Sequence, residues 1–318
     1  MSASVRVRAP CRLHFGMFSF GYADGLQFGG VGMMIDPPAV EVSLTKAGCF
    51  AATGLLSDRV GQFVQRLVQS WRLKTLPACE ITVQSPPDHV GLGVGTQLGL
   101  AVAAGLRQFL NMPKAPVEEL ALAVGRGARS AVGTYGFREG GLIVDAGKLS
   151  GQPLGALARR LPFPNDWRVV LVRPGDARGA AGDYEAAAFA QLPPVPDDVT
   201  QELHRITENL MLPAVERSDF CAFGDAVYRF GRLAGKCFAP VQGGEFASPE
   251  IARLINSIRD FGVRGVGQSS WGPTVFAFAA HDLEAQSLSN ALRDSLGVAT
   301  SCIQIARPNN HGAQVSTL

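Results

Sequence analysis

Hydrophobic and polar positions in the first half of the chain follow two periods, one typical of strands and one typical of helices. Alternation at every second position, with β-branched residues, predicts strands at Val5–Ala9, Val31–Ile35, Val40–Leu44 and Glu80–Val83. Apolar residues at steps of three and four predict a long helix that begins near Gly95 and ends before Pro113. Pro116 is expected in the first turn of the next helix, and Gly141–Asp145 is predicted as a short strand.

The second half continues this alternation after a proline-bearing boundary at Leu161–Asn165. Strands are predicted at Trp167–Val172, Val263–Val266, Thr274–Ala277 and Ala299–Ile305. Helices are predicted at Asp198–Met211, Asp219–Cys237, Pro249–Phe261 and Leu283–Leu296. Ser248 is the expected N-cap of the third of these helices. The boundary predicts two domains, residues 1–160 and 161–318.

Composition excludes several classes of protein. The chain has 318 residues, of which 47% are hydrophobic and 18% are charged, with a formal net charge of +2. A core of useful size is therefore expected, and a disordered chain is excluded. A charge balance this close to zero gives no reason to expect binding to nucleic acid or to an anionic membrane. The low charged fraction is compatible with an additional buried interface, such as that of a homodimer.

One apolar stretch has the length of a membrane span, and another has the flanking charges of a signal peptide. His89–Leu106 is long enough to span a bilayer, but its five glycines favour a turn that leads into a helix. Leu13–Ala23 follows three arginines in the manner of a signal peptide, yet no small-residue cleavage site follows it. The six cysteines form no C-x-x-C pair, which is typical of reduced thiols. We therefore expect a cytoplasmic protein.

Ten of the 37 glycines form three clusters, and the first cluster runs from Arg12 to Gly16 and continues at residues 27–32. Arg12 and His14 lie two positions apart, so on a strand they share one face. Glycines beside them let the backbone approach a ligand closely. The cluster is either an anion clamp or a hairpin with a surface arginine. Cys11 and His14 have the spacing of metal ligands, but no second pair completes a zinc site.

The second cluster, residues 86–97, joins a predicted strand to the long helix. The first N–H groups of that helix and the positive end of its dipole face the loop, which suits a phosphate or a pyrophosphate. The loop is neither a Walker A sequence nor a G-x-G-x-x-G sequence. Its candidate ligands are Gly91, Gly93, Gly95, Thr96 and Gln97. The alternative is that the glycines only allow close packing.

The third cluster, residues 265–274, connects two predicted strands and is too rich in glycine and serine for a simple turn. Gln268, Ser269 and Ser270 are hydrogen-bonding residues suited to a polar ligand. Trp271 either packs against an aromatic substrate or lines the core. On its own this cluster is weak evidence for a site.

Together the clusters resemble the GHMP superfamily, named for galactokinase, homoserine kinase, mevalonate kinase and phosphomevalonate kinase. Pro87-x3-Gly91-Leu92-Gly93 is similar to its phosphate-binding motif. Gly265-x-Gly267-x-Ser269-x2-Gly272-Pro273-Thr274 is similar to its C-terminal glycine motif. The resemblance implies an α+β GHMP fold, with a ribosomal-protein-S5-domain-2-like N-terminal domain, a ferredoxin-like C-terminal domain and an active site between them.

Two departures from the kinases of that superfamily argue against phosphoryl transfer. Their G-L-G-S-S motif helps to hold Mg-ATP, whereas Val94 and Gly95 stand at the serine positions here. Their S-G-x-D aspartate corresponds to Gly133. Phosphoryl transfer depends on positioning and on metal and charge stabilisation, and both features are lost. An ATP-dependent small-molecule kinase and a non-catalytic ligand-binding protein of this fold remain the alternatives.

These departures agree with one branch of the superfamily. Over nearly its whole length, the chain resembles the β-ribofuranosylaminobenzene 5′-phosphate synthase family. The matching stretches are Arg12-Leu13-His14-Phe15-Gly16, His89-Val90-Gly91-Leu92-Gly93-x-Gly95-Thr96-Gln97, Arg126-Gly127-x-Arg129-Ser130, Gly140-Gly141-x-Ile143-Val144-Asp145 and Gln242-Gly243-Gly244. Val94 and Ala131 replace a frequent serine and a frequent glycine.

This resemblance implies an enzyme that joins 4-aminobenzoate to 5-phosphoribosyl 1-pyrophosphate and releases CO2 and pyrophosphate. The reaction is an early step of tetrahydromethanopterin biosynthesis, and Mg²⁺ is the implied cofactor of the pyrophosphate donor. A preference for 4-aminobenzoate over 4-hydroxybenzoate does not follow from the sequence.

Within that reaction, the resemblance suggests roles for charged residues outside the loop. Arg12 and His14 are expected near the leaving group or the aromatic carboxylate. Arg126 and Arg129, with Ser130, are expected to bind the 5-phosphate, because guanidinium pairs with phosphate in a bidentate manner. The alternatives are a His14 that satisfies a backbone carbonyl, and two arginines on a solvated helical face.

Four further residues are weaker candidates. Asp145 either binds a metal or caps the following turn. Arg173, Asp176 and Glu185 flank a glycine-rich turn at Gly175–Gly182.

Overall fold

The computed structural model describes residues 4–22, 24–173 and 182–317, without the side chains of residues 182–186. Its strands are β1 Ser4–Gly16, β2 Gly30–Lys46, β3 Ala51–Gly54, β4 Cys79–Gln84, β5 Leu142–Asp145, β6 Leu157–Leu161, β7 Arg168–Val172, β8 Val266–Gln268, β9 Val275–Ala279, β10 Ile303–Pro308 and β11 Gln314–Thr317. Its α-helices are α1 Ser57–Ser70, α2 Val94–Phe109, α3 Val117–Ala123, α4 Val132–Glu139, α5 Gly182–Gln191, α6 Asp197–Ile206, α7 Leu212–Glu216, α8 Phe220–Lys236, α9 Ala239–Gln242, α10 Pro249–Asp260 and α11 Asp282–Leu296. A π-helical turn, Thr207–Met211, joins α6 to α7.

Strand β2 is the centre of the sheet because it has one long partner and a succession of short ones. It pairs with β1 along nearly its whole length. Its other edge pairs in turn with β5, β10 and β4. Since β10 also pairs with β7, and β7 with β9, the two halves of the chain share one sheet.

The two strands predicted at Val31–Ile35 and Val40–Leu44 are one continuous strand with an irregularity. Pro10 of β1 pairs with Ala39, and Cys11 pairs with Ile35, so residues 36–38 have no partner on β1. Two of these three residues are prolines, which lack the N–H that a ladder needs. The interruption in the alternation is therefore a bulge within β2.

Helix α2 positions the site because it lies directly against β1 and β2. A Cβ at Gly105 would lie 2.6 Å from Leu44 Cδ1, which leaves no room for a side chain at this helix–sheet contact. The helix buries residues along most of its length, so its direction is fixed by the sheet. Its N-terminus is thereby held beside the second half of β1.

A second core lies where helices α10 and α11 pack against the C-terminal strands. Its buried members are Val170, Val172, Ile251, Ile255, Ile258, Val266, Val275, Ala277, Ala279, Ala285, Leu288 and Leu292. Ser248 caps α10 as expected, since its hydroxyl accepts a hydrogen bond from Ile251 N. The division at residue 160 stays a prediction, and β11 returns to pair with β1.

Two predicted strands in this half begin later than expected. The strand expected at Val263–Val266 begins at Val266, and the one expected at Ala299–Ile305 begins after a 3₁₀ turn, Thr300–Cys302. Pairing with β9 and with β7 and β2 fixes these limits. In the part of the chain that the structure describes, no helix has both the length and the apolar character needed to cross a bilayer.

Candidate active site

Two of the glycine clusters meet backbone to backbone. A Cβ at Gly91, whose φ is +88°, would lie 2.3 Å from Ser269 O, and one at Gly272 would lie 2.1 Å from Gly91 N. Ser269 Oγ donates a hydrogen bond to Gly91 O over 2.7 Å, and Thr274 Oγ1 donates to Val90 O over 2.5 Å. Contact this close requires glycine at both positions. The loop before α2 is thus fastened to the loop between β8 and β9.

The first glycine cluster joins the same contact through β1. His14 N donates to Ser269 Oγ over 3.1 Å, and Ser270 N donates to His14 O over 3.0 Å. Arg12 N donates to Leu92 O, and Arg12 Nη1 donates to Gly91 O over 2.8 Å. All three clusters that the sequence singled out therefore lie together.

A positively charged cleft lies where α2 begins. In the described chain no side chain caps this helix, and its N-cap Gly93 is in the left-handed region. A Cβ at Gly93 would lie 2.6 Å from Arg12 Cγ, and a Cβ at Gly95 would lie 2.8 Å from Arg59 Nη2 and 3.2 Å from Arg126 Nη2. Helix N–H groups and three guanidinium groups thus line a cleft with a cavity volume of about 150 Å³. This combination favours a multiply charged anion.

Arg59 of α1 is a site residue that the sequence analysis missed. Its side chain is 21% exposed, and its Nη1 lies 3.1 Å from Asp88 Oδ2. His89 Nε2 lies 3.2 Å from the same carboxylate oxygen. The pair with Asp88 holds the Arg59 guanidinium at the mouth of the loop.

A second pocket, which we call the ring pocket, shares a wall with the cleft. Both are lined by Ser270 and Trp271. The Trp271 ring centroid lies 5.1 Å from that of Phe189 and 5.0 Å from that of Phe238. The ring pocket has a cavity volume of about 60 Å³ and is open to solvent. A flat aromatic molecule fits such walls better than a sugar does.

Arg126 and Arg129 lie on the loop between α3 and α4, so the prediction of a helix there is wrong. Arg126 lines the cleft. The guanidinium carbon of Arg129 lies 4.8 Å from the ring centroid of Phe189, beside the ring pocket. The two arginines therefore face different regions.

Three predicted ligands make hydrogen bonds to groups of the scaffold. Gln97 is buried, and its Nε2 donates to Gly133 O over 2.8 Å. Ser269 is buried between Gly91 and His14. Gln268 bridges Ala247 N and Ser270 O, although it also lines the ring pocket. Their polarity serves backbone groups that would otherwise be buried without partners.

Asp145 is likewise internal. It is fully buried, and its two oxygens accept hydrogen bonds from Ala131 N over 2.6 Å and from Gly147 N over 2.9 Å. Burial raises the pKa of this carboxyl group, and the two N–H groups oppose that rise. Of the two alternatives, the geometry favours the turn cap, and a metal role for Asp145 stays a prediction.

Of the other weak candidates, Arg173 is not brought to the site. Arg173 lines neither pocket, and its backbone N–H donates to Cys302 O. Asp176 and the side chain of Glu185 lie outside the described residues. Within those residues, no three or more His, Cys, Asp or Glu side chains come together in a way that could hold a metal.

His14 is buried against polar groups. Its side chain lines the ring pocket, and its Nε2 lies 3.1 Å from Ser130 Oγ. Burial, with a smaller contribution from the Arg12 charge, lowers the pKa of His14 to about 3. The imidazole is therefore neutral at pH 7, and Arg12 carries the positive charge on this face of β1.

Replacing His14 by glutamine should make the free energy of unfolding less sensitive to acid. In the native chain, the unfolded state takes up a proton below its ordinary pKa of about 6.5, while folded His14 does not until about pH 3. Stability is thus fully present above pH 6.5 and falls as the pH falls. Between pH 7 and pH 5 the native chain should lose about 2 kcal/mol more than the variant. Urea unfolding at several pH values measures this difference, and parallel curves would contradict it.

A match to a known protein family and a superposition on a solved structure both support the fold described above. The family described as "GHMP kinases C terminal" matches residues 211–297. Mevalonate diphosphate decarboxylase from Staphylococcus aureus superposes with a TM-score of 0.67 at 14% identity, covering 99% of this chain and 98% of that one. The α+β GHMP fold expected from the motifs is confirmed by this likeness.

Two archaeal proteins match at the level of sequence, and both are named beta-ribofuranosylphenol 5'-phosphate synthase. The protein from Archaeoglobus fulgidus is 32% identical over 314 residues, which covers 91% of this chain and 92% of that protein. The protein from Methanothermobacter thermautotrophicus is 30% identical over 315 residues, which covers 92% and 93%. Identity at this level over nearly both lengths, on a fold whose three glycine clusters meet at one cleft, places the chain in the β-ribofuranosylphenol 5′-phosphate synthase family, an enzyme family of the GHMP superfamily.

Proposed function

We propose that the chain transfers the 5-phosphoribosyl group of 5-phosphoribosyl 1-pyrophosphate to 4-aminobenzoate, with release of CO2 and pyrophosphate, as a step of tetrahydromethanopterin biosynthesis. One observation carries the proposal. A cleft with three arginines shares a wall with a pocket lined by aromatic rings. A charged leaving group and an aromatic acceptor would thus lie on either side of Ser270 and Trp271.

Charge stabilisation is the first task of the site. As the bond between ribose C1 and oxygen breaks, its electron pair goes to pyrophosphate, and C1 gains oxocarbenium character. Arg12, Arg59 and Arg126 and the N-terminus of α2 are already oriented toward that growing negative charge. Such preorganised groups lower the barrier because they need not rearrange during the reaction.

Positioning of the arene is the second task. The ring carbon that bears the carboxylate supplies the electron pair of the new bond to C1. The pair that joined this carbon to CO2 then returns to the ring, so no proton has to leave it. The lowered pKa of His14 makes its imidazole a weak base, which agrees with this balance because the carbon–carbon step needs no general base at that ring carbon. Holding the arene against C1 lowers the barrier further, because the reacting atoms are already in position.

Mg²⁺ belongs to the proposal as a companion of the donor. Magnesium in such sites takes most of its ligands from phosphate oxygens and water, with one or two protein carboxylates. Asp88, the ion-pair partner of the cleft residue Arg59, would supply such a carboxylate. When bound, the ion would neutralise part of the pyrophosphate charge.

A kinase has less support at this site. Gly133 stands at the position of the kinase aspartate, and a Cβ there would lie 3.3 Å from Thr96 Cγ2 and 3.4 Å from Gln97 Nε2. The position is packed against α2, and a carboxylate is not available there.

The purified chain should release labelled CO2 from carboxyl-labelled 4-aminobenzoate when Mg²⁺ and 5-phosphoribosyl 1-pyrophosphate are both supplied. Omission of the donor should stop the release, and ATP should not replace the donor. The name of the two relatives indicates a phenol product for them, so 4-hydroxybenzoate is assayed in parallel. A folded chain that releases no CO2 from either acid would contradict the proposal, and ATP consumption would then favour the kinase.

A further inference from the structure

Two polar atoms at the ring pocket are buried without a hydrogen-bond partner among the described residues. They are Gln242 Oε1 and Trp271 Nε1, an acceptor and a donor. Both residues are among those that line the ring pocket. Buried polar groups without partners are costly and uncommon, so a matched pair in one pocket points to a ligand that supplies the partners.

The orientation of the Gln242 amide follows from its neighbours. Its Nε2 donates to Gly235 O over 3.2 Å and to Gly244 O over 2.9 Å. Both partners are carbonyl oxygens, which accept only, so a flipped amide would place oxygen against oxygen. The atom without a partner is therefore the acceptor Oε1.

Glu245, which also lines the ring pocket, has a partner already. Glu245 accepts hydrogen bonds from Arg232 Nε and Nη2 over 2.6 and 2.7 Å. This pairing lowers the pKa of Glu245 and keeps its charge neutralised by Arg232. Recognition within the pocket thus depends on the Gln242 acceptor, the Trp271 donor and the ring walls.

We propose that the ring pocket is the acceptor site of the proposed reaction, and that Gln242 selects benzoic acids with a hydrogen-bond donor para to the carboxylate. The inference rests on the proposed function. The para N–H or O–H donates to Gln242 Oε1, and the carboxylate accepts from Trp271 Nε1. Because Trp271 also lines the cleft, the carboxylate-bearing carbon faces the ribose. A glutamine oxygen accepts from an amine and from a hydroxyl alike, so one residue serves both 4-amino- and 4-hydroxybenzoate.

Equilibrium dialysis of the full chain with 4-aminobenzoate and with 4-methylbenzoate tests this assignment. The two acids have similar size, but only the first has a para donor. The native chain should bind 4-aminobenzoate about tenfold more tightly, the value of one good hydrogen bond. Gln242→Met should bring the two affinities to within about twofold. Equal affinities for the native chain, no binding of either acid, or a preference that survives in Gln242→Met would overturn the assignment.

Gly231→Ala is a second variant that does not depend on the Gln242 hydrogen bonds. Gly231 lines the pocket on α8, and a Cβ there would meet only Phe15 O, at 3.7 Å. Alanine is also a better helix former, so the melting temperature should not fall. Both acids should bind several-fold more weakly because the added methyl narrows the pocket. Unchanged affinity for both would show that arenes bind elsewhere.

The two proposals fail in different ways. If labelled CO2 is released but the Gln242→Met variant still prefers 4-aminobenzoate to 4-methylbenzoate, the reaction stands and the role of Gln242 fails. If the preference disappears in Gln242→Met but no CO2 is released by the native chain, the pocket binds para-substituted benzoates and the reaction assignment fails.

Discussion

Replacing Gly95 by valine should abolish binding of 5-phosphoribosyl 1-pyrophosphate. The new side chain would enter the space between the N-terminus of α2 and the Arg59 and Arg126 guanidinium groups, which lie 2.8 and 3.2 Å from the Cβ position. The atoms it meets are the ends of flexible side chains, so the fold should survive while the phosphate site is filled. Calorimetric titration should show a loss in donor affinity of more than about 100-fold, or about 2.7 kcal/mol.

Gly61→Val is the matched control for that change. Gly61 also lies within a helix, α1, but a Cβ there would meet nothing within 4 Å. This variant should carry the same penalty of a β-branched residue in a helix and retain full donor affinity. If folded Gly95→Val bound the donor as well as the native chain does, the phosphates would have to lie elsewhere.

The elements that the sequence predicted well are those with strong local signals. The long helix α2 combines apolar periodicity with a glycine loop at its start, and helix α10 has a serine cap followed by proline. Helix α1 was missed because its N-cap, Leu56, is in the left-handed region and caps nothing with its side chain. Its buried residues Val60, Phe63, Val64 and Leu67 nevertheless have helical spacing, and a search for period alone would have found it.

Strand limits were less predictable, because pairing partners decide them. Strand β10 begins only where its residues meet β7, and its last two residues pair with β2. The bulge in β2 depends on how β1 continues past Pro10. Neither relation is encoded within a short window of sequence.

In the site, residue type alone did not predict the role of a side chain. Polarity and position made Gln97, Ser269 and Asp145 candidates, yet each is buried and bonded to backbone groups. A sequence cannot distinguish a polar side chain that binds a ligand from one that satisfies a nearby N–H or carbonyl. Arg59 is the opposite case. The sequence did not single it out, because only the packing of α1 beside the loop brings it to the cleft.

Replacing Arg59 by methionine should weaken donor binding by about 10- to 100-fold, which corresponds to one charge-assisted hydrogen bond to phosphate. Methionine keeps much of the apolar stem, so α1 should pack as before. The loss should also shrink as salt is added, because the contribution of a cleft open to solvent is screened.

Arg66→Met on the same helix is the control for Arg59→Met, since Arg66 Nη1 donates to Val124 O and does not line the cleft. It removes the same charge from α1, so it separates a local contact from the general field of the protein. Titration of the donor into both variants at two salt concentrations makes the comparison. Equal losses for the two variants would assign the effect to net charge, whereas a loss confined to Arg59→Met would place the pyrophosphate between α1 and the start of α2.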